Sequence, residues 1–338
     1  MSPALIPLPE LLATARSGAA ANASAVFSDV PALLLSADWQ SQGLMSGDVE
    51  ALCTWLRQQP CPTIALNGGA DDSRLADACD VQLPEADQIS PLLGSITRSP
   101  MAATVLVQLL RISEGMPVEA GLIAESLAYS TLQAGPEFGR WRAAHPPQAR
   151  PALDEGPAVR MHREGGRLNL QLNRPGRRNA LSVEMRDALV EALQLVLADD
   201  AITEVTLSGR GRCFSTGGEL AEFGSAPDPA TAHLVRSLAL PARLLARCAA
   251  RVTARVHGAC IGSGIEIPAF AGHLIAAPDA WFQLPELKFG LIPGAGGCIG
   301  IARRIGRQRT AWLALSGQRI DAKTALDWGL VDAIEPSA

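Results

Sequence analysis

Residues 257–270 read HGACIGSGIEIPAF and follow directly on VTARV at 252–256. The VTARV run alternates like a buried strand, and the glycines after it let the backbone turn and come close to a neighbour before a helix opens. A helix starting at Gly262 would point its free N–H groups and positive dipole end outward, toward an oxygen on which negative charge develops. Glu266 then lies about one turn in, where an acid also favours the dipole with no chemistry implied. Read alone, a glycine-rich strand-to-helix turn serves tight packing as readily as catalysis.

Outward from this turn, the pattern is one of strands alternating with helices. Residues 159–164 and 167–173 read as short strands around Gly165-Gly166, and Ser182 is placed to N-cap a helix. In VEMRDALVEALQLVLADD the residues Met185, Leu189, Leu193 and Val196 fall on one face, and Asp199-Asp200 ends the helix. A strand at 204–208 precedes GRGRCFSTGGEL, and a long helical stretch through SLALPARLLARCAA leads to the strand at 252–256. Such alternation implies parallel pairing and a layered α/β core. CFSTGGEL at 213–220 is a second strand-following turn with a glycine pair, and two such turns can supply two backbone donors to one oxyanion.

Composition restricts the function. The chain has 338 residues, 48% apolar and 19% charged, with net charge −5 from 29 basic and 34 acidic side chains. It can bury a large core, and without a basic tail or stripe it is not expected to bind nucleic acid. Its seven cysteines include no CxxC pair, so neither a zinc site nor a disulfide framework is indicated. No apolar run reaches the roughly 18 to 20 residues that span a bilayer, and the N-terminus lacks a signal-like pattern, so a cytoplasmic location without membrane partners is expected. GLIPGAGG at 290–297 lacks the GxGxxG spacing of a dinucleotide site. His257 and His273, without partner motifs, read as packed or surface histidines.

The order NRPGRRNALS at 173–182, GRCFSTGGEL at 211–220, VHGACIGSGIEI at 256–267 and FQLPELKFGLIPGAGG at 282–297 resembles the ordered signature of the crotonase superfamily, the enoyl-CoA hydratases and isomerases. GQRIDAKTALDWGLVDAI at 317–334 resembles that family's next segment. The resemblance implies a crotonase-like α/β fold of ββα repeats, with layered sheets and surrounding helices. It implies Glu266 and Glu286 as catalytic acids and bases, and the backbone N–H groups of Thr216 and Ser263 as the oxyanion hole. Gly217, Gly218, Gly262 and Gly264 would allow close approach, with Glu219 and Leu220 beside them at the substrate. Arg178, Asn179 and Ala180 match the segment that borders the CoA nucleotide, although basic residues in a loop are also ordinary solvated ones. The implied substrate is an acyl-CoA thioester, with coenzyme A as part of it and no other cofactor, and the implied assembly is a homo-oligomer, trimer-based. Both glutamates point to hydration of a 2-enoyl-CoA. An isomerase, hydrolase or decarboxylase could use the same enolate site, and a non-catalytic partner that has kept the fold is a third class.

Three departures stand out: Ser263 where glycine is usual, Pro268 within the expected helix, which could kink it, and His273 where aspartate is common. The family's helical tail is also missing after 334, whereas residues 99–141 resemble it. Stretches at 31–39, 61–69 and 75–83 resemble worn family strands. The expected organisation is a leader at 1–24, a degenerate crotonase-like or helical accessory unit at 25–144, a linker at 145–157 and a catalytic core at 158–338.

Overall fold

The computed structural model describes residues 5–17, 31–40, 42–66, 74–146 and 155–336. Helix α1 (Leu8–Arg16) precedes three short, mostly buried strands, β1 (Leu33–Ser36), β2 (Thr63–Leu66) and β3 (Val81–Leu83). These form a parallel sheet in the order β1-β2-β3, joined through α2 (Ser46–Arg57) and α3 (Arg74–Ala78). Val49, Leu52 and Leu56 give α2 its buried stripe. Four helices follow: α4 (Ile89–Arg98), α5 (Pro100–Ser113), α6 (Val118–Gln133) and α7 (Pro136–Ala144). Pro100 and Pro136 stand at first helical positions, where a missing N–H costs nothing.

The second half opens with the hairpin β4 (Val159–Glu164) and β5 (Arg167–Leu172), turning at Gly165-Gly166. Next come α8 (Val183–Ala198) and β6 (Glu204–Gly209); the Ser182 hydroxyl caps α8 by accepting from Met185 N at 3.2 Å. The expected long helix before the next strand is broken into α9 (Pro229–Leu238) and α10 (Pro241–Cys248). Pro241 lacks the N–H that would continue α9 and instead starts α10.

After these lie β7 (Val252–Val256), β8 (Ala259–Ile261) and the single turn α11 (Ser263–Glu266). Strands β9 (His273–Ala276) and β10 (Trp281–Gln283) lead to the 20-residue α12 (Gly297–Ser316). The chain then forms β11 (Ile320–Asp321), α13 (Ala322–Trp328) and β12 (Ala333–Ile334). The main sheet runs β12-β9-β7-β6-β5-β4, parallel except for the β4–β5 hairpin, and β11-β10-β8 form a smaller sheet.

Where a kinked helix was expected at Pro268, α11 ends and a 3-10 turn, Pro268–Phe270, follows. Arg304 compensates by donating to the carbonyls of Ala269 (2.8 Å) and Ala271 (2.6 Å).

Helices α4 to α6 share one apolar core with the second half: Leu92, Ile96, Leu106, Leu110 and Leu122 belong to the same buried cluster as Ile299, Ile301 and Leu313. The Ser99 hydroxyl donates to Leu287 O at 2.7 Å, and Gln308 donates to the carbonyls of Ala76 and Cys79. Residues 18–30 and 147–154, which hold parts of the expected leader and linker, lie outside the described residues. Among the described residues no helix is long and apolar enough to cross a membrane.

Candidate active site

Two turns meet at the ends of the parallel strands. Ser215 pairs with Cys260 in an isolated parallel bridge, which sets the turn after β6 against the turn after β8. A Cβ on Gly264 would lie 2.5 Å from Ser215 O, so this contact requires glycine. Gly262 has φ +50° and donates its N–H to Gln283 O at 2.9 Å, which ties the turn to β10.

Thr216 is not an available oxyanion donor: its N–H donates to the Arg178 carbonyl at 3.1 Å. Gly218 offers a free donor on this turn. In the parallel bridge between Leu181 and Gly218, Leu181 bonds the neighbours of Gly218, accepting from Glu219 N and donating to Gly217 O, so the N–H of Gly218 points to the other side. Among the described residues, neither Gly218 N–H nor Ser263 N–H has a protein acceptor, and both residues line one cavity of about 430 Å³.

Glu266 and Glu286 line the same cavity and are both buried. Glu266 Oε2 accepts from Ala295 N (2.7 Å) and Gly297 N (3.0 Å), while Oε1 faces Gly262. Glu286 Oε1 also faces Gly262: an atom at the Cβ position would lie 2.7 Å from it and 3.7 Å from Glu266 Oε1. The missing side chain of Gly262 thus leaves open space on which both carboxyls converge. Glu286 Oε2 is buried with no hydrogen-bond partner. Burial pushes the Glu266 carboxyl up to about 7, opposed by its backbone donors. Burial, reinforced by the charge of Glu266, raises Glu286 well above the carboxylate range.

Glu219 lines the cavity and caps Ala221 N, whereas Leu220 is half exposed beside it. Gly217, at φ +89°, could not carry a Cβ without meeting Ile261 O at 2.8 Å. Arg178 is exposed, and the cavity wall begins not at 178–180 but at Leu181. Asn179 is a structural tie rather than a ligand contact: it is buried, accepts from Arg174 N at 2.8 Å, and donates to the carbonyls of Arg210, Cys213 and Phe214. His257 makes a contact with Gly211 O, and His273 is exposed on β9. Among the described residues no cluster of His, Cys, Asp and Glu is placed to hold a metal ion.

Sequence reasoning missed three residues that the first half brings to, or anchors at, this site. Tyr129 of α6 lines the cavity and lies against Gly294. Arg236 of α9 lies over the Tyr129 ring at 4.7 Å and is bonded to Ser126, Ser130 and Gln133. Glu125, also on α6, is buried behind Glu266. Their one signal was a set of polar residues, Glu125, Ser126, Tyr129 and Ser130, at helical spacing on the face that carries Leu122.

The family model for enoyl-CoA hydratase/isomerase matches residues 162–338. The chain belongs to this family. A 2,3-dehydroadipyl-CoA hydratase of Escherichia coli is 35% identical over 170 residues, covering 50% of this chain and 66% of that protein. A 1,2-epoxyphenylacetyl-CoA isomerase of the same organism is 36% identical over 174 residues, with the same coverage. The enoyl-CoA hydratase/isomerase family chain thus spans just under two thirds of the length of these relatives. A solved structure of a putative enoyl-CoA hydratase/isomerase from Mycobacterium abscessus aligns with TM-score 0.50 at 31% identity, covering 53% of this chain and 71% of that one. The crotonase α/β fold follows for this chain.

Proposed function

We propose that the protein is an enoyl-CoA hydratase that adds water reversibly to a 2-enoyl-CoA, needing no cofactor beyond the coenzyme A of its substrate. The observation that carries this reading is the convergence of two buried carboxyls, Glu266 and Glu286, on the open space over Gly262, beside two free backbone donors. In the hydration direction the thioester oxygen accepts from Gly218 N–H and Ser263 N–H, which hold the charge of the developing enolate. Glu266, whose Oε2 bonds to two N–H groups favour its ionised form, removes a proton through Oε1 from the water that bonds to the β-carbon. Glu286, the carboxyl more strongly held protonated, delivers its proton to the α-carbon. The net change is gain of one water. Activity should fall on the acid side as pH drops below about 7, where Glu266 takes up a proton, and on the alkaline side as Glu286 ionises.

The test is incubation with crotonyl-CoA and longer or aromatic enoyl-CoAs, following loss of the conjugated-thioester absorbance and identifying products by mass. Gain of one water, abolished in both Glu266→Gln and Glu286→Gln, is the expected result. A mass-neutral conversion that depends on one glutamate would replace this reading with an isomerase, the activity named for one relative.

A further inference from the structure

Where glycine-rich GLIPGAGG at 290–297 runs into α12, the four consecutive N–H groups of residues 295–298 are all taken. They are shared alternately by two carboxyls. Ala295 N and Gly297 N donate to Glu266 Oε2, while Gly296 N (2.7 Å) donates to Glu125 Oε1 and Cys298 N (2.8 Å) to Glu125 Oε2. Glu125 comes from α6, in the first half of the chain, and is buried. The opening N–H groups of a helix have no partner within it, so whatever accepts from them fixes both the turn and the direction in which it faces. The segment is tightly seated: a Cβ at Gly297 would lie 2.7 Å from Glu266 Cγ, and one at Gly294 would lie 2.3 Å from the Tyr129 ring. Glu125 bonds the neighbours of both groups that hold Glu266, so displacing it releases the peptide planes against which Glu266 is set.

We infer that Glu125 is a positioning residue: by holding Gly296 and Cys298 it orients the N–H groups of Ala295 and Gly297, which keep Glu266 Oε2 fixed and leave Oε1 facing the substrate. The first half of the chain thereby completes the active site of the second. This inference rests on the proposed role of Glu266, and it does not require Glu125 to touch substrate or exchange a proton. Misplacing a catalytic group by about 1 Å can cost about 100-fold in rate while ground-state binding persists.

The variants are Glu125→Gln, which keeps the shape but turns an N–H donor toward one of the two backbone donors, and Glu125→Asp, which keeps a carboxyl on a shorter stem. In Glu125→Gln, kcat on the enoyl-CoA that the wild type uses best should fall about 10- to 100-fold with KM changed by less than about threefold. The alkaline limb of the pH–rate profile should move to lower pH, because Glu286 loses a neighbouring acid. Glu125→Asp should recover part of kcat and hold the profile nearer the wild type. Amide hydrogen exchange over 294–300 should rise in both variants, a readout that needs no turnover and therefore tests the clamp even where the wild type proves inactive on every enoyl-CoA. If Glu125→Gln does not fold, kcat and exchange in Glu125→Asp decide. Unchanged exchange at 294–300, or faster exchange with kcat and pH profile unaltered, overturns the proposal.

Discussion

Two buried acids, one in each half of the chain, meet opposite treatment. Asp80, beside β3, is 1% exposed, and its carboxylate is saturated: it accepts from Thr63 N (2.8 Å), the Thr63 hydroxyl (2.9 Å), Arg111 Nε (2.8 Å) and Arg307 Nη1 (3.0 Å). Glu286 is 8% exposed and leaves one oxygen with no partner. Burying an acid is costly in either case. At Asp80 two guanidinium groups offset the cost and the product is an ion-pair knot joining β2, α5 and α12; at Glu286 the cost is left standing as a raised pKa. Full pairing suits Asp80 to a structural role, and an unpaired oxygen suits Glu286 to the proton transfer proposed for it.

The sharpest attack on this contrast removes a donor from the reactive side without touching an acid. Ser263 is the first residue of α11, a position that tolerates proline, and Ser263→Pro deletes the N–H proposed to face the thioester oxygen together with a hydroxyl that has no hydrogen-bond partner. A fall in kcat of about 100- to 1000-fold is expected, with the unfolding midpoint little changed. Steady-state kinetics beside thermal melting checks both halves of that statement, and a variant with full activity would remove Ser263 from the oxyanion hole.

On the structural side, Asp80→Asn leaves Arg111 buried without its counter-charge and Arg307 with only the exposed Glu114, 3.8 Å away. Loss of about 3–5 kcal/mol of stability is expected, read as a lower urea midpoint, while kcat of the folded enzyme stays within about twofold. A large loss of kcat at unchanged stability would break the division between the two acids.

A smaller effect sharpens it. The Glu266 carboxyl ordinarily titrates at 4.5 and is raised to about 7 in the fold, so its contribution to stability is fully present below about 4.5 and is lost as pH rises through about 7. Glu266→Gln keeps an oxygen for Ala295 and Gly297 and has no such loss. Its melting temperature should therefore gain on the wild type between about pH 4.5 and 7 and then run parallel; a difference independent of pH would show that Glu266 is not held neutral by burial.

Particular residues show how far the sequence could be read. Ser182 as helix cap, the Gly165-Gly166 hairpin and the strand 252–256 are local features, decided by neighbours within a few positions, and the structure has each of them. Thr216 was misread because its N–H finds its acceptor at Arg178, in a segment far upstream, and no pattern within CFSTGGEL reveals that bond. Asn179 was assigned to the ligand from its place in a motif, yet its amide is spent on the carbonyls of the loop after β6.

By itself, then, the sequence determined the alternation of strands and helices and the two glycine turns, since periodicity, capping and backbone freedom are short-range properties, whereas Glu266 and Glu286 stood out only through the resemblance of their motifs to the family's. Only the tertiary structure decided that Gly218 and not Thr216 carries the free N–H, that Glu286 has an unpaired oxygen, and that Glu125 from the other half of the chain holds the helix start on which Glu266 rests. Hydrogen-bond partners and burial depend on which distant segments come together, and that is settled only when the chain has folded.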